Sequence, residues 1–462
     1  MNTIIQHFGE KIISELEKVL NEIFLEGNGD ISEVVTTLND IFCEYGCEII
    51  KYILEESDLI IRESAERKGK WNIKERNMKK TFITEFGEVK YYRTYYKSKG
   101  KDGHTYLVDD CFGIERYQRI EDGLSSKMIN YSEDHSYQKS SDLASKKVKL
   151  SRQTVKNKIR KLGEVDNRDI KDIKEKKKVK RLYVEADEDH ISLQNGKSTI
   201  AKLVYIHEGI EKKGGRNKLK DVHYFSGLYK DVEELWLEVL DYIDAKYEID
   251  QIKTIYLAGD GASWIIEGLS WLPRSKHVLD RYHLNKYVLI ATGHMPKKRT
   301  KLWRALNTCN YNKTDEILQE IIKETLVDTK KEAVKEARDY ILGNWGGIKI
   351  YKEDPNALGC SAEGHVSHVL SSRMSSRPLG WSEKGADQMA RLRAFKYNGG
   401  KKDDIRDLLN EKKKIKKSEL QTEKILSKGK KGGLFPAPEE SIPALSKGKV
   451  TRLFKALKTL AY

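Results

Sequence analysis

The chain has 462 residues, 38% hydrophobic and 34% charged, and its 86 Lys and Arg against 71 Asp and Glu leave a net charge of +15. Such a length holds roughly two to four domains with real cores, and an isoelectric point near 9.2 points to a polyanionic partner, with a merely soluble basic protein as the alternative. No run approaches about 18 consecutive apolar residues, as a membrane span needs; Glu10, Glu15 and Glu17 argue against a signal peptide; and five scattered cysteines argue against a disulfide framework and for a reducing, cytoplasmic compartment.

Residues 1–68 read as helical. Ile5, Phe8, Ile12, Leu16, Val19 and Ile23 recur at helical spacing, Gly27, Asn28 and Gly29 interrupt them, and Ile41, Ile49, Ile50, Ile53 and Leu54 resume the pattern. This predicts a helical hairpin that packs on another element or dimerises. Cys43 and Cys47, one helical turn apart, read as core packing because no second pair completes a metal site.

Residues 69–125 change character and read as a small β-rich region. TFITEFGEVKYYRTYYKSK alternates, with Gly87 between two runs, and predicts a β-hairpin. Lys90, Arg93, Lys97, Lys99 and Lys101 are interleaved with Tyr91, Tyr92, Tyr95 and Tyr96. Basic residues among aromatics can track phosphates and stack on sugars or bases, which makes Lys90 and Arg93 candidate DNA contacts. The alternative is an ordinary half-buried sheet.

Residues 126–165 suggest a helix-turn-helix. The first helix, SYQKSSDLASKKV, would turn Leu143, Ala144 and Val148 inward. Ser151 is placed to cap a second, RQTVKNKIRKLG, with Val155, Ile159 and Leu162 inward. Arg152, Gln153, Lys156 and Arg160 then point outward on a helix able to enter a major groove. A surface helical hairpin with charged faces is the alternative. Residues 164–180 are charge-dense and read as a linker.

From 181 to about 400 the pattern is that of an α/β domain. RLYVEAD, STIAKLVYIHEGI and DVHYFSGLY are strands, DVEELWLEVLDYIDAKY is an amphipathic helix, IKTIYLAGD is a buried strand, and HVLD is a short strand leading into the helix RYHLNKYVLIATG. Three meandering strands, a helix and a strand follow the RNase H order. Residues 284–350 read as a helical insertion, with Trp303, Leu306, Ile317, Leu318, Ile321 and Ile322 as apolar members. Residues 401–462 form a basic tail: a Lys-rich stretch, a loop holding three of the seven prolines, and a short amphipathic helix. The fold class is thus multidomain α/β, an RNase H-like domain with a helical insertion, preceded by helical, β-hairpin and helix-turn-helix regions.

Three segments carry chemistry. YVEADEDH puts Asp187 near the end of a strand, LAGDGASWI puts Asp260 at the end of another, and CSAEGHVSHVLSSRM opens a helix with Glu363. A carboxylate at a buried strand end is costly unless paired or metal-bound. Neighbouring strand ends would unite the two aspartates, and Glu363 would complete an all-oxygen site suited to Mg²⁺ or Mn²⁺. Two such ions about 3.5–4 Å apart activate a nucleophile and stabilise the leaving oxygen of a phosphoryl displacement. Gly259 and Gly261 flank Asp260 and permit a tight turn. Glu185, Asp187 and Asp189 share strand parity; Asp187 is chosen because the apolar run stops there. Asp280 and His283, three apart, are neighbours on a helical turn, either contacting the scissile phosphate or forming a structural pair. Glu353 and Glu383 are the rivals of Glu363. Arg373 and Arg377 follow as candidate DNA contacts, and Trp381 is as readily core.

VEADEDH, GDGASWI, VLDRYHL and EGHVSHVLSSRMSSRPLGWS, in this order, resemble the ISLre-type bacterial insertion-sequence transposases, relatives of the Mutator-like superfamily. The resemblance extends over most of the chain, including the hairpin and the helix-turn-helix. It implies an RNase H-like fold, Asp187, Asp260 and Glu363 as an acidic triad, and Asp280–His283 as an accessory motif. The expected activity is divalent-metal-dependent cleavage and joining of DNA strands at terminal inverted repeats. The expected cofactor is Mg²⁺ (or Mn²⁺), two ions. The expected partners are double-stranded DNA, both element ends and target, and further copies of the chain assembled on it, in the bacterial cytoplasm at the nucleoid. Rival readings are another RNase H-like nuclease and a non-catalytic, transposase-derived DNA-binding protein.

Overall fold

The structure, a computed structural model, describes residues 13–18, 21, 30–100, 103–168, 173, 175–377 and 379–414. Residues 13–18, from the first apolar-periodic run, are helical, while the expected break at Gly27–Gly29 lies outside the described residues. Helix α1 (Ile31–Glu63) starts where the Asp30 carboxylate accepts the Ser32 N–H. It ends at Ser64, whose hydroxyl caps α2 (Ala65–Lys70). The expected hairpin is present: β1 (Trp71–Ile83) pairs antiparallel with β2 (Glu88–Ser98) across a turn closed by Thr84 and Gly87. α1 is tied to β2 by Asp58, whose carboxylate accepts the Thr94 N–H at 3.0 Å and hydroxyl at 2.6 Å. Cys47 packs against the core made by Leu54, Phe82, Val89 and Tyr91, so it serves as a small apolar group. Ile49 and Ile53 stay exposed. β3 (His104–Thr105) extends this sheet, and α3 (Leu107–Cys111) follows.

Helices α4 (Asp122–Ser132), α5 (Tyr137–Ala144) and α6 (Arg152–Leu162) pack on one another. Ser151 caps α6 by accepting the Thr154 N–H, and Val155, Ile159 and Leu162 are buried, as their spacing indicates. The preceding helix is shorter than the sequence suggests. α5 ends at Ala144, and Leu143 is exposed rather than inward, because α5 turns its small residues Ser140, Ser141 and Ala144 to its neighbours.

The central sheet has five strands. β4 (Arg181–Ser192) and β5 (Ser198–His207) are antiparallel; after a small hairpin, β6 (Ile210–Lys213) and β7 (Arg216–Leu219), β8 (His223–Gly227) pairs antiparallel with β5. Helix α7 (Val232–Lys246) then crosses to β9 (Thr254–Gly259), parallel to β4, and α8 (Ser263–Trp271) leads to β10 (Ser275–Leu279), parallel to β9. The spatial order is β10-β9-β4-β5-β8. Strand alternation assigns the two faces of β4. Leu182, Val184 and Ala186 join Trp236, Val239, Ile243 and Ile265 in the core under α7 and α8. Tyr183, Glu185 and Asp187 point to the opposite face.

That opposite face is covered by later segments. α9 (Arg281–Thr292), α10 (Pro296–Asn307), α11 (Tyr311–Glu324), α12 (Asp328–Gly343) and α13 (Trp345–Glu353) form a helical group around Leu302, Leu306, Ile317, Leu318, Ile321, Val334 and Ile341. Residues 357–360 lie over Tyr183, Tyr256 and Val278. α14 (Ala362–Val366) runs into a π-helical turn at Ser367–Ser371 and then α15 (Ser372–Met374), and α16 (Glu383–Tyr397) packs on β8. Among the described residues the architecture is mixed α/β with three separate sheets. The described residues through Arg406 form one compact unit; a second begins at Asp407, of which 407–414 are described and helical. The rest of the Lys-rich stretch, the Pro-containing loop and the terminal helix expected from the sequence lie outside the described residues. Among the described residues no helix is long and apolar enough to cross a membrane.

Candidate active site and nucleic-acid interface

Register brings the first two acids together. Glu185 of β4 is paired with Ala258 of β9 in a parallel ladder, so Asp187, two residues on, is level with Asp260, the first residue beyond β9. The approach is close: a Cβ on Gly259 would stand 2.9 Å from the Ala186 carbonyl oxygen and 2.8 Å from Ile265 Cδ1. Gly261 has φ of +88°, and its Cβ would collide with the Asn344 side chain, so only glycine lets the chain turn here. The helical group of α9–α13 buttresses this turn. Tyr340 of α12 donates its hydroxyl to the Asp260 carbonyl and stacks on Tyr287 of α9 at 3.7 Å between ring centroids. Asp260 also accepts the Ala262 N–H at 2.9 Å.

Asp280 follows β10 and is tied to the same turn, its N–H donating to the Gly259 carbonyl at 2.8 Å. It caps α9 through the Tyr282 N–H, and its other oxygen lies 2.8 Å from His283 Nδ1, the pairing expected from the spacing. This hydrogen bond, aided by the negative charges of Asp280, Asp260 and Asp187, raises the His283 pKa against the effect of burial. Glu363 sits exposed in the first turn of α14.

Asp187 is the electrostatic centre. Burial pushes its carboxyl up to about 6, the charges of Glu363 and Asp260 add to that, and the Glu188 N–H and His283 oppose it. Its parity mates differ. Glu185 is buried among donors, and His207, Tyr205 and the Ser361 N–H overcome the effect of burial and hold it below its ordinary value. Asp189 accepts the Ser375 hydroxyl at 2.8 and 2.9 Å. Among the described residues, the Asp187 carboxylate has just the neighbouring Glu188 N–H, at 2.8 Å, as hydrogen-bond donor. A buried, under-bonded carboxylate repelled by two more acids suits a divalent cation, and all three present the oxygen donors Mg²⁺ and Mn²⁺ prefer. As they stand, no group of three or more His, Cys, Asp or Glu among the described residues is gathered closely enough to hold a metal ion. The acids share one field without being closed to ligating distance.

The candidate DNA contacts divide. Arg152, Gln153 and Arg160 are exposed on α6 and Lys156 is half-buried there. Lys90 is exposed beside Glu88, and Arg377 is exposed. Arg93 is not presented outward: it is buried, paired with Asp109, and lies 3.5 Å over the Tyr106 ring. Arg373 is also buried, donating Nε to the Ser132 carbonyl at 2.9 Å and lying 4.9 Å from the ring of the buried Trp381. Burial lowers its pKa to about 10. Arg93 and Arg373 thus serve as internal ties, each engaged by local partners. Tyr91 and Tyr96 likewise belong to the core of the hairpin. The sequence reading weighed Glu185 just as a rival of Asp187 and did not single out His207, Ser361 or Tyr340. Glu185 alone carried a signal, as an acid inside an apolar strand.

Comparison with known proteins places the chain in a family. Residues 25–413 match the model of an uncharacterised protein family, UPF0236. A UPF0236 protein of Caldanaerobacter subterraneus subsp. tengcongensis, whose name joins eleven loci, is 47% identical over 421 residues, covering 90% of this chain and 89% of that one. A second from the same organism is 47% identical over 421 residues, covering 90% of each chain. A Streptococcus gallolyticus relative, named as a UPF0236 protein in the vanSb 3′ region, is 27% identical over 336 residues, 69% of this chain and 72% of that one. With a family model spanning most of its length and relatives at this identity, the chain belongs to the uncharacterised protein family UPF0236.

Proposed function

We propose that the chain is a DNA transposase with an RNase H-like catalytic domain, acting on the ends of its own insertion element. The observation that carries this reading is the level placement of Asp187 and Asp260 on adjacent parallel strands, within the field of Glu363 and His283. The sheet order, three antiparallel strands with two parallel ones added beside the first, supports the RNase H-like assignment. A relative encoded at eleven loci of one genome supports mobility, since copying into new sites leaves such a set.

In this reading Asp187, Asp260 and Glu363 would hold Mg²⁺ or Mn²⁺, which would supply Lewis-acid activation of the attacking oxygen and charge neutralisation at phosphorus. His283, oriented by Asp280, stands within the field of Asp260 and Asp187, where a raised pKa favours the cationic form that could donate to a DNA phosphate. The exposed residues of α6 read element ends, and the excess of 15 positive charges holds the phosphate backbone.

The test is incubation of the full chain with labelled DNA spanning the borders of its own element, in Mg²⁺. Nicking at the ends followed by joining to a second DNA is expected. Cutting without joining would identify a nuclease instead, and binding without either would identify a non-catalytic derivative. Replacing Arg152, Gln153 and Lys156 with Ala should weaken binding to element ends by about 1–3 kcal/mol per lost base contact, with a smaller loss on random DNA. Equal losses on both in a competition assay would restrict these side chains to phosphate contacts.

A further inference from the structure

Glu185 lies two residues before Asp187 on the same face of β4 and is 2% exposed. Its Oε1 is 3.0 Å from His207 Nε2. Its Oε2 accepts the Tyr205 hydroxyl, the Ser361 N–H and the Ser361 hydroxyl. With both oxygens engaged by protein donors, Glu185 is not itself placed to ligate an ion. What it holds is the start of α14: Ser361 is the residue before that helix, and Glu363 is its second residue.

Ser361 would ordinarily turn its hydroxyl onto the helix N–H groups it precedes. Here it makes no side-chain cap bond to α14 and turns to Glu185 instead. On the other side of Glu363, the His365 ring stacks on Tyr205 at 4.3 Å between centroids, and its Nδ1 lies 2.8 Å from the Tyr224 hydroxyl. Glu363 is therefore bracketed by two points fixed to the central sheet. The bracket matters because the helical run from Ala362 to Met374 is short and changes to π-helical hydrogen bonding after Val366, so its own hydrogen bonds fix its first turn only marginally.

We propose that Glu185 is a positioning residue which, by holding Ser361 at the head of α14, sets the direction of Glu363 relative to Asp187 and Asp260. This rests on the reading of those three acids as metal ligands. An outer partner of a ligand is worth about 10- to 100-fold in metal affinity.

The experiment uses the full chain, free of metal and titrated with Mn²⁺ under electron paramagnetic resonance, with amide hydrogen exchange as a second readout. Glu185→Gln keeps the shape of the side chain but sets an NH₂ against protein donors. It should weaken Mn²⁺ binding about tenfold or more and speed exchange in residues 361–366, while exchange in β4 and β9 stays slow. Ser361→Ala, which keeps the N–H and loses the hydroxyl, should move both readouts the same way by less, and it decides the matter if Glu185→Gln does not fold. High Mn²⁺ concentration should restore the occupied state of either variant. Wild-type Mn²⁺ affinity in a folded variant, whatever its melting temperature, would overturn the positioning role. Failure of the underlying reading is distinguishable: the wild-type chain would bind Mn²⁺ no more tightly than Asp187→Asn, and both proposals would fall together.

Discussion

Asp187→Asn is expected to cut Mg²⁺-dependent strand cleavage by about a thousandfold or more while making the metal-free chain more stable at neutral pH. Both effects come from the same burial. The Asp187 carboxyl is raised from its ordinary 3.8 to about 6. The folded chain thus holds this proton more tightly than the unfolded chain. Its favourable contribution is whole below about pH 3.8 and is lost as pH rises through about 6. Above that range the ionised carboxylate costs on the order of 3 kcal/mol, which a neutral amide of similar shape largely avoids. Thermal melts at pH 7.5 without metal should therefore show the variant melting higher than wild type, with the difference gone near pH 4. Added Mg²⁺ should raise the wild-type melting temperature and leave the variant where it is. Asp260→Asn, on the neighbouring strand end, should lose cleavage to a similar degree. Both variants should keep the affinity for DNA that the proposed function assigns to basic surfaces elsewhere. Full cleavage by either variant would remove that residue from the site.

Glu363→Gln should abolish both nicking and joining, by about a thousandfold or more, whereas Glu353→Gln and Glu383→Gln should retain most of the activity. Glu363 is the acid of the three whose charge reaches Asp187. Glu353 is the last residue of α13, not part of a loop as the neighbouring Pro355 suggests, and it pairs on the surface with Lys349 at 3.8 Å. The loop begins one residue later, where Asp354 takes the Tyr256 hydroxyl and Lys276. Glu383 stands in the first turn of α16 behind the Ser382 cap, where an acid is accounted for by the helix dipole. Strand-transfer assays on the three variants, run side by side in Mg²⁺, give the comparison. Wild-type joining by Glu363→Gln would move the third ligand elsewhere.

Much of this molecule is written in local patterns. The alternation of TFITEFGEVKYYRTYY specifies a hairpin, and Ser151 ahead of Val155, Ile159 and Leu162 specifies α6, because each signal is satisfied within a few residues. The five central strands and the insertion helices were legible for the same reason, and so was the Asp280–His283 pair, whose partners are three residues apart. Strand parity also narrowed the first acid to Glu185, Asp187 and Asp189. Burial and partners separate those three, and they come from distant segments: Ser361 for Glu185, Ser375 for Asp189, the charges of Asp260 and Glu363 for Asp187. The fates of Arg93 and Arg373 are tertiary as well. Composition marks an arginine as a phosphate binder, yet Asp109 and Tyr106 claim one and the Ser132 carbonyl and Trp381 claim the other. By itself the sequence determined which elements form and which residue types stand at their ends, since hydrogen bonding and amphipathicity act over a few residues. The tertiary structure alone decided which charges are spent inside and which remain for a ligand, since that depends on what packs against each of them from far along the chain.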